Sequence, residues 1–245
     1  MRSVLIPALA AAALSPCAHG ASIYAATSVG LVEIDVDAVG GPAATLIDGA
    51  VNTFSIAGGP ATDRLYVQQF GGDILDYDVN TLSGVTTGAN IGGATFGEGL
   101  DGFWYASETV GNGLDRVTPG SPAPGVYLGD GPHFYAGDLA ASNSAVLYGS
   151  SGDGVVIVDK TDGSQTLLPG SITNLWGLAF TIDGRFFGAL GSGAVYELDP
   201  NTGAGTFLGN VPYQIYDLAS ERGVPSPGAL TLLAPAAVVA TRRRR

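Results

Sequence analysis

Cysteine, histidine and lysine are nearly absent from this chain, and each absence excludes some chemistry. Among 245 residues there is one Cys (Cys17), two His (His19 and His133) and one Lys (Lys160). A lone thiol near the N-terminus leaves the rest of the chain without a disulfide or a thiol nucleophile. One histidine in the body is too few for a zinc site, which draws on several His, Cys or carboxylate ligands. Lys160 lies in an Asp-Lys-Thr-Asp-Gly turn, whereas Schiff-base lysines sit in desolvated pockets. No Gly-x-Ser-x-Gly elbow accompanies His133, so a Ser-His-Asp hydrolase has no recognisable nucleophile. A sustained helical period is also missing.

Positive charge is scarce and unevenly placed. Five of the ten basic residues lie at the extreme ends, as Arg2 and Arg242 to Arg245. The other five share the body with all 22 acidic residues, a net charge near −17 there. Nucleic-acid binding needs a basic footprint, and this body has the opposite sign. An acidic surface favours solubility and attracts cations loosely.

The two ends have their own patterns. Met1-Arg2 followed by the apolar run Val4 to Leu14 and the small-x-small site Ala18-His19-Gly20 reads as a signal peptide over residues 1–20, cleaved before Ala21. Residues 223–245 read as a sorting tail. Val224-Pro225-Ser226-Pro227 precedes an apolar run from Gly228 to Thr241, then Arg242, Arg243, Arg244 and Arg245. That run has 14 residues and contains Pro235, while a spanning helix takes ~17–25. A short apolar segment with a basic stop suits transient membrane tethering before processing. The tail resembles the PEP-CTERM sorting signal of Gram-negative bacteria, through Val224, Pro225, Pro227 and Arg242–Arg245, with Ser226 in place of the family's Glu. The resemblance implies recognition by an exosortase-type sorting enzyme and a destination in the cell envelope or outside the cell.

The body, about residues 22 to 222, is one domain by size and is built of repeats. An aromatic residue in a short strand recurs at Tyr24, Tyr66, Tyr105, Tyr148 and Phe187, at spacings of 42, 39, 43 and 39. Each is followed by a second strand that ends in a polar turn residue: Asp35, Asp78, Thr118, Asp159 and Asp199. A third strand follows each turn. The fourth carries a small or acidic residue before an aliphatic one: Ser55-Ile56, Gly99-Leu100, Asp138-Leu139, Gly177-Leu178 and Asp217-Leu218. Five four-stranded units of about 40 residues predict an all-β, five-bladed β-propeller. The units resemble the short blades of YVTN- and NHL-type propellers, which implies a fold and no particular activity. The body starts with an aromatic strand that lacks an inner partner and ends with an inner strand that lacks outer partners. Pairing the two closes the ring, with one C-terminal strand and three N-terminal strands in one blade.

Acidic clusters such as Asp73, Asp76, Asp78 and Asn80 invite a calcium reading, but the EF-hand pattern fails. Each cluster falls at the same turn of its repeat, where Asp and Asn close on their own backbone. The sequence therefore calls for no metal and no cofactor. Glu98, Asp138 and Asp217 are the carboxyl groups nearest the expected ring centre. They define the alternative of a secreted propeller hydrolase or lyase acting on glycans, which needs two carboxylates across a cleft. The loops that lead into the inner strands carry Asn52 and Phe54, His133 and Tyr135, Asn174 and Trp176, and Gln214 and Tyr216. Amides with aromatic rings suit a sugar or another small polar ligand. The expected protein is an exported propeller acting as a binding or structural module, with a polysaccharide matrix as its setting.

Overall fold

Short runs of β-branched and aromatic residues, separated by Gly, Asp and Asn turns, fold into strands throughout the body. The structure, a computed structural model, describes residues 22–220 except 60, 62, 92–94, 108–111, 123–124 and 134. The signal-peptide and sorting-tail assignments lie outside the described residues. No helix among the described residues is long and apolar enough to cross a membrane.

Five antiparallel four-stranded sheets form the ring. The first blade holds β1 (Ser22–Thr27), β2 (Gly30–Asp35), β3 (Ala43–Asp48) and, at its inner edge, β20 (Ile215–Ala219). The second holds β4 (Thr53–Gly58), β5 (Arg64–Gln69), β6 (Asp73–Asp78) and β7 (Ser83–Asn90). The third holds β8 (Phe96–Glu98), β9 (Trp104–Ser107), β10 (Gly113–Val117) and β11 (Val126–Asp130). The fourth holds β12 (Tyr135–Ala141), β13 (Leu147–Ser151), β14 (Gly154–Val158) and β15 (Gln165–Leu167). The fifth holds β16 (Leu175–Phe180), β17 (Phe186–Leu190), β18 (Ala194–Leu198) and β19 (Gly205–Asn210). Strands β20, β4, β8, β12 and β16 meet their neighbours around the axis. This is a five-bladed β-propeller.

The ring closes as the strand order predicts. Tyr24 of β1 pairs with Ala219 of β20, and Ala25 with Leu218. The core lies between blades. Alternate residues of one strand serve opposite neighbours, since successive side chains point to opposite faces of a sheet. Ile23 and Ala25 pack against Phe187, Ala189 and Val195 of the fifth blade. Tyr24 and Ala26 pack against Ile56, Leu65 and Val67 of the second. Both faces of the inner strands are thus buried, so apolar residues stand on both faces, interrupted at buried polar positions such as Ser55, Asp138 and Asp217.

Among the described residues, Arg185 and Lys160 bridge blades through ion pairs. Arg185 of the fifth blade reaches Asp37 of the first at 2.7 Å and Glu197 of its own at 3.0 Å. Lys160 of the fourth reaches Asp101 of the third at 2.8 Å and donates to the Gly99 carbonyl. The polar turns are closed by their own side chains. Asp78 Oδ1 accepts from the Asn80 and Thr81 backbone N–H groups, Asp159 Oδ1 from Thr161 and Asp199 Oδ1 from Asn201.

One element departs from the repeat reading. The inner strand of the third blade is Phe96–Glu98, and Gly99-Leu100 forms the turn leading out of it. Phe96, paired with Ala106, occupies the place that Leu139 holds opposite Gly149 in the fourth blade. The small-then-aliphatic pattern recurs at Gly99-Leu100 by coincidence, four residues beyond the true position at Phe96.

Candidate functional site

Side chains of the inner strands link three pairs of neighbouring blades. The residue before the central apolar position is Asp217 in the first blade, Ser55 in the second, Asp138 in the fourth and Gly177 in the fifth. The Ile56 N–H donates to Asp217 Oδ2 at 2.9 Å, the Phe96 N–H to Ser55 Oγ at 3.3 Å, and the Leu178 N–H to Asp138 Oδ2 at 2.5 Å. The Ser55 hydroxyl also donates to Asp217. The fifth blade offers only Gly177. A Cβ there would lie 2.5 Å from Leu218 Cγ and 2.8 Å from the Leu218 nitrogen. That missing side chain lets Asp138 reach past the fifth blade to the Leu218 N–H, 3.4 Å away.

Asp138 and Asp217 therefore converge on the Leu218 N–H, and each acts on the other's protonation. Both are wholly buried. Burial, more than any other cause, raises their pKa values: Asp138 well above the carboxylate range, with the Asp217 charge adding to the effect, and Asp217 to about 7. Asp217 is held by Ser55, Ile56 and Leu218, and Asp138 by Leu139 and Leu178. Glu98 is elsewhere. With Ile56, Leu139, Leu178, Phe180 and Leu218 it lines a void of about 30 Å³ on the axis, room for one or two waters.

The loops that lead into the inner strands, with hairpin turns such as β1–β2 and β5–β6, form one face of the ring, here termed the mouth. An arc of four aromatic rings crosses it. Phe54 of β4 lies 5.6 Å from Phe70, centroid to centroid. Phe70, in the β5–β6 turn, lies 6.5 Å from Tyr216 of β20. Tyr216 lies 6.4 Å from Trp176 of β16. Phe70 is 57% exposed and Trp176 39%. Trp176 rests on Gly191, where a Cβ would stand 3.2 Å from the indole ring. One ring face is seated on bare backbone, and the exposed surface is what remains.

Beside the arc, between the first and second blades, is a cavity of about 340 Å³. It is lined by Thr27 to Gly30, by Gly49 to Thr53, and by Phe70 and Tyr216. No charged residue lines it. Gly30 has φ +121° and a Cβ there would strike the Asp48 carbonyl at 2.2 Å, so only glycine lets the β1–β2 turn approach the β3–β4 linker. The linker is fixed by Asp48, whose carboxylate accepts from the Ala50 N–H and the Tyr77 hydroxyl.

The structure brings together some of the sequence-predicted residues. Asn52 and Tyr216 share the cavity, and Tyr216 and Trp176 share the arc. Others have different roles. Tyr135 is buried against Leu139 and Leu147. His133 pairs through Nδ1 with Asp153 Oδ2 at 2.8 Å, and its backbone N–H donates to Gln165. Asn174 is exposed with φ +60°, a conformation that Asn tolerates better than most residues. Gln214 is exposed, and its carbonyl accepts from the Ser28 N–H. Phe70 and Thr53 are the functional candidates that sequence reasoning missed.

Comparison with known proteins adds fold and nothing finer. No protein-family model matches the chain, and no curated protein matches it. Solved structures do. A symmetrical protein from work on its de novo evolutionary emergence under folding constraints is 18% identical, with a TM-score of 0.57 over 82% of this chain and 98% of that one. A chain of a nidogen/laminin complex is 10% identical, with a TM-score of 0.56 over 83% and 99%. A structural-genomics protein of unknown function from Bacteroides thetaiotaomicron is 13% identical, with a TM-score of 0.51 over 83% and 65%. At these identities the likeness is one of architecture.

Proposed function

We propose that this propeller is an exported binding module that works through its mouth. The observation that carries the reading is the aromatic arc. Phe54, Phe70, Tyr216 and Trp176 come from three blades and form one partly exposed strip. Most large aromatics of this chain are spent between blades, so a continuous strip on a loop-bearing face is costly unless it meets a partner. A chain of similar fold in a nidogen/laminin complex agrees with a propeller serving as a binding or structural part.

Export and sorting rest on the two ends of the sequence. The N-terminal run supports a cleaved signal peptide, and the Val-Pro-Ser-Pro tail with its arginines supports handling by an exosortase-type enzyme and delivery to the envelope or its polysaccharide matrix. The likeness to YVTN- and NHL-type blades belongs to the same reading.

The carboxyl groups favour binding over hydrolysis. Glycosidase carboxylates stand ~5–9.5 Å apart with the sugar between them. Asp138 and Asp217 touch each other, and their oxygens are taken by backbone N–H groups and the Ser55 hydroxyl. The test is a glycan array probed with the mature body. Binding without turnover, lost in Trp176→Ala and Tyr216→Ala variants that remain folded, supports the reading. A blank array, or binding indifferent to both substitutions, overturns it.

A further inference from the structure

We propose that the cavity between the first and second blades is a seat for one uncharged sugar unit at the end of a glycan that crosses the arc. This deepens the reading of the mouth as a binding face and rests on it. Three observations define the ligand's chemistry. The lining holds no carboxylate and no cation, so it offers neither a counter-charge for an anion nor ligands for a metal ion. The body around it is strongly negative, which disfavours uronic acids and sulfated sugars. Its polar groups are hydroxyls and an amide (Thr27, Ser28, Thr53 and Asn52), and two rings, Phe70 and Tyr216, form its wall. Rings that stack on a C–H face, with hydroxyls and amides that bond a ligand's hydroxyls, match a neutral pyranose.

The fourth observation is independent. Thr53 is 1% exposed, and its Oγ1 has no hydrogen-bond partner among the described residues. A buried hydroxyl left unpaired is a cost that native proteins rarely leave standing. Thr53 lines the cavity, so a small shift of the wall brings this hydroxyl to a ligand hydroxyl, which can both donate and accept. The cavity volume also lies at the small end of the ~300–1,000 Å³ typical of ligand pockets, as a single sugar requires.

Binding of cellotetraose, mannotetraose and tetragalacturonate is measured by titration calorimetry on the intact body, with Thr53→Val, Phe70→Ala and Trp176→Ala variants. A neutral tetramer is expected to bind and tetragalacturonate not to. Thr53→Val removes the hydroxyl and keeps the shape. It should weaken binding about tenfold and yet raise the Tm of the free protein by about 2–4 °C. Loss of binding with a higher Tm cannot come from damage to the fold. Phe70→Ala should weaken binding at least as much. If Trp176→Ala abolishes binding while Thr53→Val and Phe70→Ala leave it intact, the arc binds glycan and the cavity assignment is wrong. Preference for tetragalacturonate, or no binding of either neutral tetramer, also overturns it.

Discussion

Raising the pH from 5 to 7 should destabilise this protein, and the Asp138–Asp217 pair should be the reason. Between pH 5 and 7 the pair holds at least one more proton in the folded ring than in the unfolded chain. Their contribution is therefore fully present below about pH 4, the ordinary carboxylate range, and is lost as pH climbs toward about 7. One extra proton held by the folded state corresponds to ~1.4 kcal/mol per pH unit. Over two units that is about 3 kcal/mol, a large share of the ~5–15 kcal/mol that holds a domain together. Neither group is exposed, so solvent does not screen the effect. Urea unfolding at pH 5, 6 and 7 measures it. The wild type should lose at least 3 kcal/mol across the series. Asp138→Asn should start lower, because its amide nitrogen must face a backbone N–H that the carboxylate now accepts, but its profile should be flatter. The doubly substituted protein, Asp138→Asn with Asp217→Asn, should be flat relative to wild type. Every other titrating group is common to all three proteins and cancels. A wild-type profile that is level or rising would refute the argument, as would a double variant that keeps the full slope.

Three other outcomes follow from the geometry. Gly177→Ala places a Cβ 2.5 Å from Leu218 Cγ and against the Leu218 backbone, and should cost about 3 kcal/mol or more in urea unfolding, since neither inner strand can move aside. Trp104 is buried and Trp176 is not, so acrylamide should quench one of the two tryptophans, and Trp176→Phe should remove the quenchable fraction while leaving the far-UV spectrum unchanged. Arg185→Met breaks the link from the fifth blade to Asp37 and should cost about 1 kcal/mol at low salt, shrinking in 1 M NaCl as a partly exposed pair does.

Much of the fold is legible in the sequence because a propeller repeats one local solution. The aromatic strand residue marks each blade, and the Asp- or Thr-ended second strand marks each turn. The strand order at the two ends predicts which blade is closed by both. The third blade misled because its true position, Thr95-Phe96, carries an aromatic where the other blades carry an aliphatic, while Gly99-Leu100 nearby matches the repeat pattern; only the pairing of Phe96 with Ala106 reveals the register. The site was half legible. Amide and aromatic residues before the inner strands pointed to the mouth, and Asn52, Trp176 and Tyr216 lie there. His133 and Tyr135 carry the same chemistry but are claimed by Asp153 and by the core. Phe70 gave no signal, since its partners Phe54 and Tyr216 come from its own blade's inner strand and from the far end of the chain. The contact between Asp138 and Asp217 depends on a side chain that is not there, at Gly177, and no pattern of residue types shows which two inner-strand positions will meet.

The pairing of β1 with β20 also sets a schedule. Tyr24 finds Ala219 only after nearly two hundred residues have been made between them. A chain that emerges from its N-terminus can complete the second, third, fourth and fifth blades in order, each from contiguous sequence. The first blade to appear is then the last to be finished. Until β20 arrives, the inner edge of β1 is a bare strand edge open to other chains. The interval before closure is when the molecule is most exposed to aggregation, and any partner that holds the early strands apart from one another would act there.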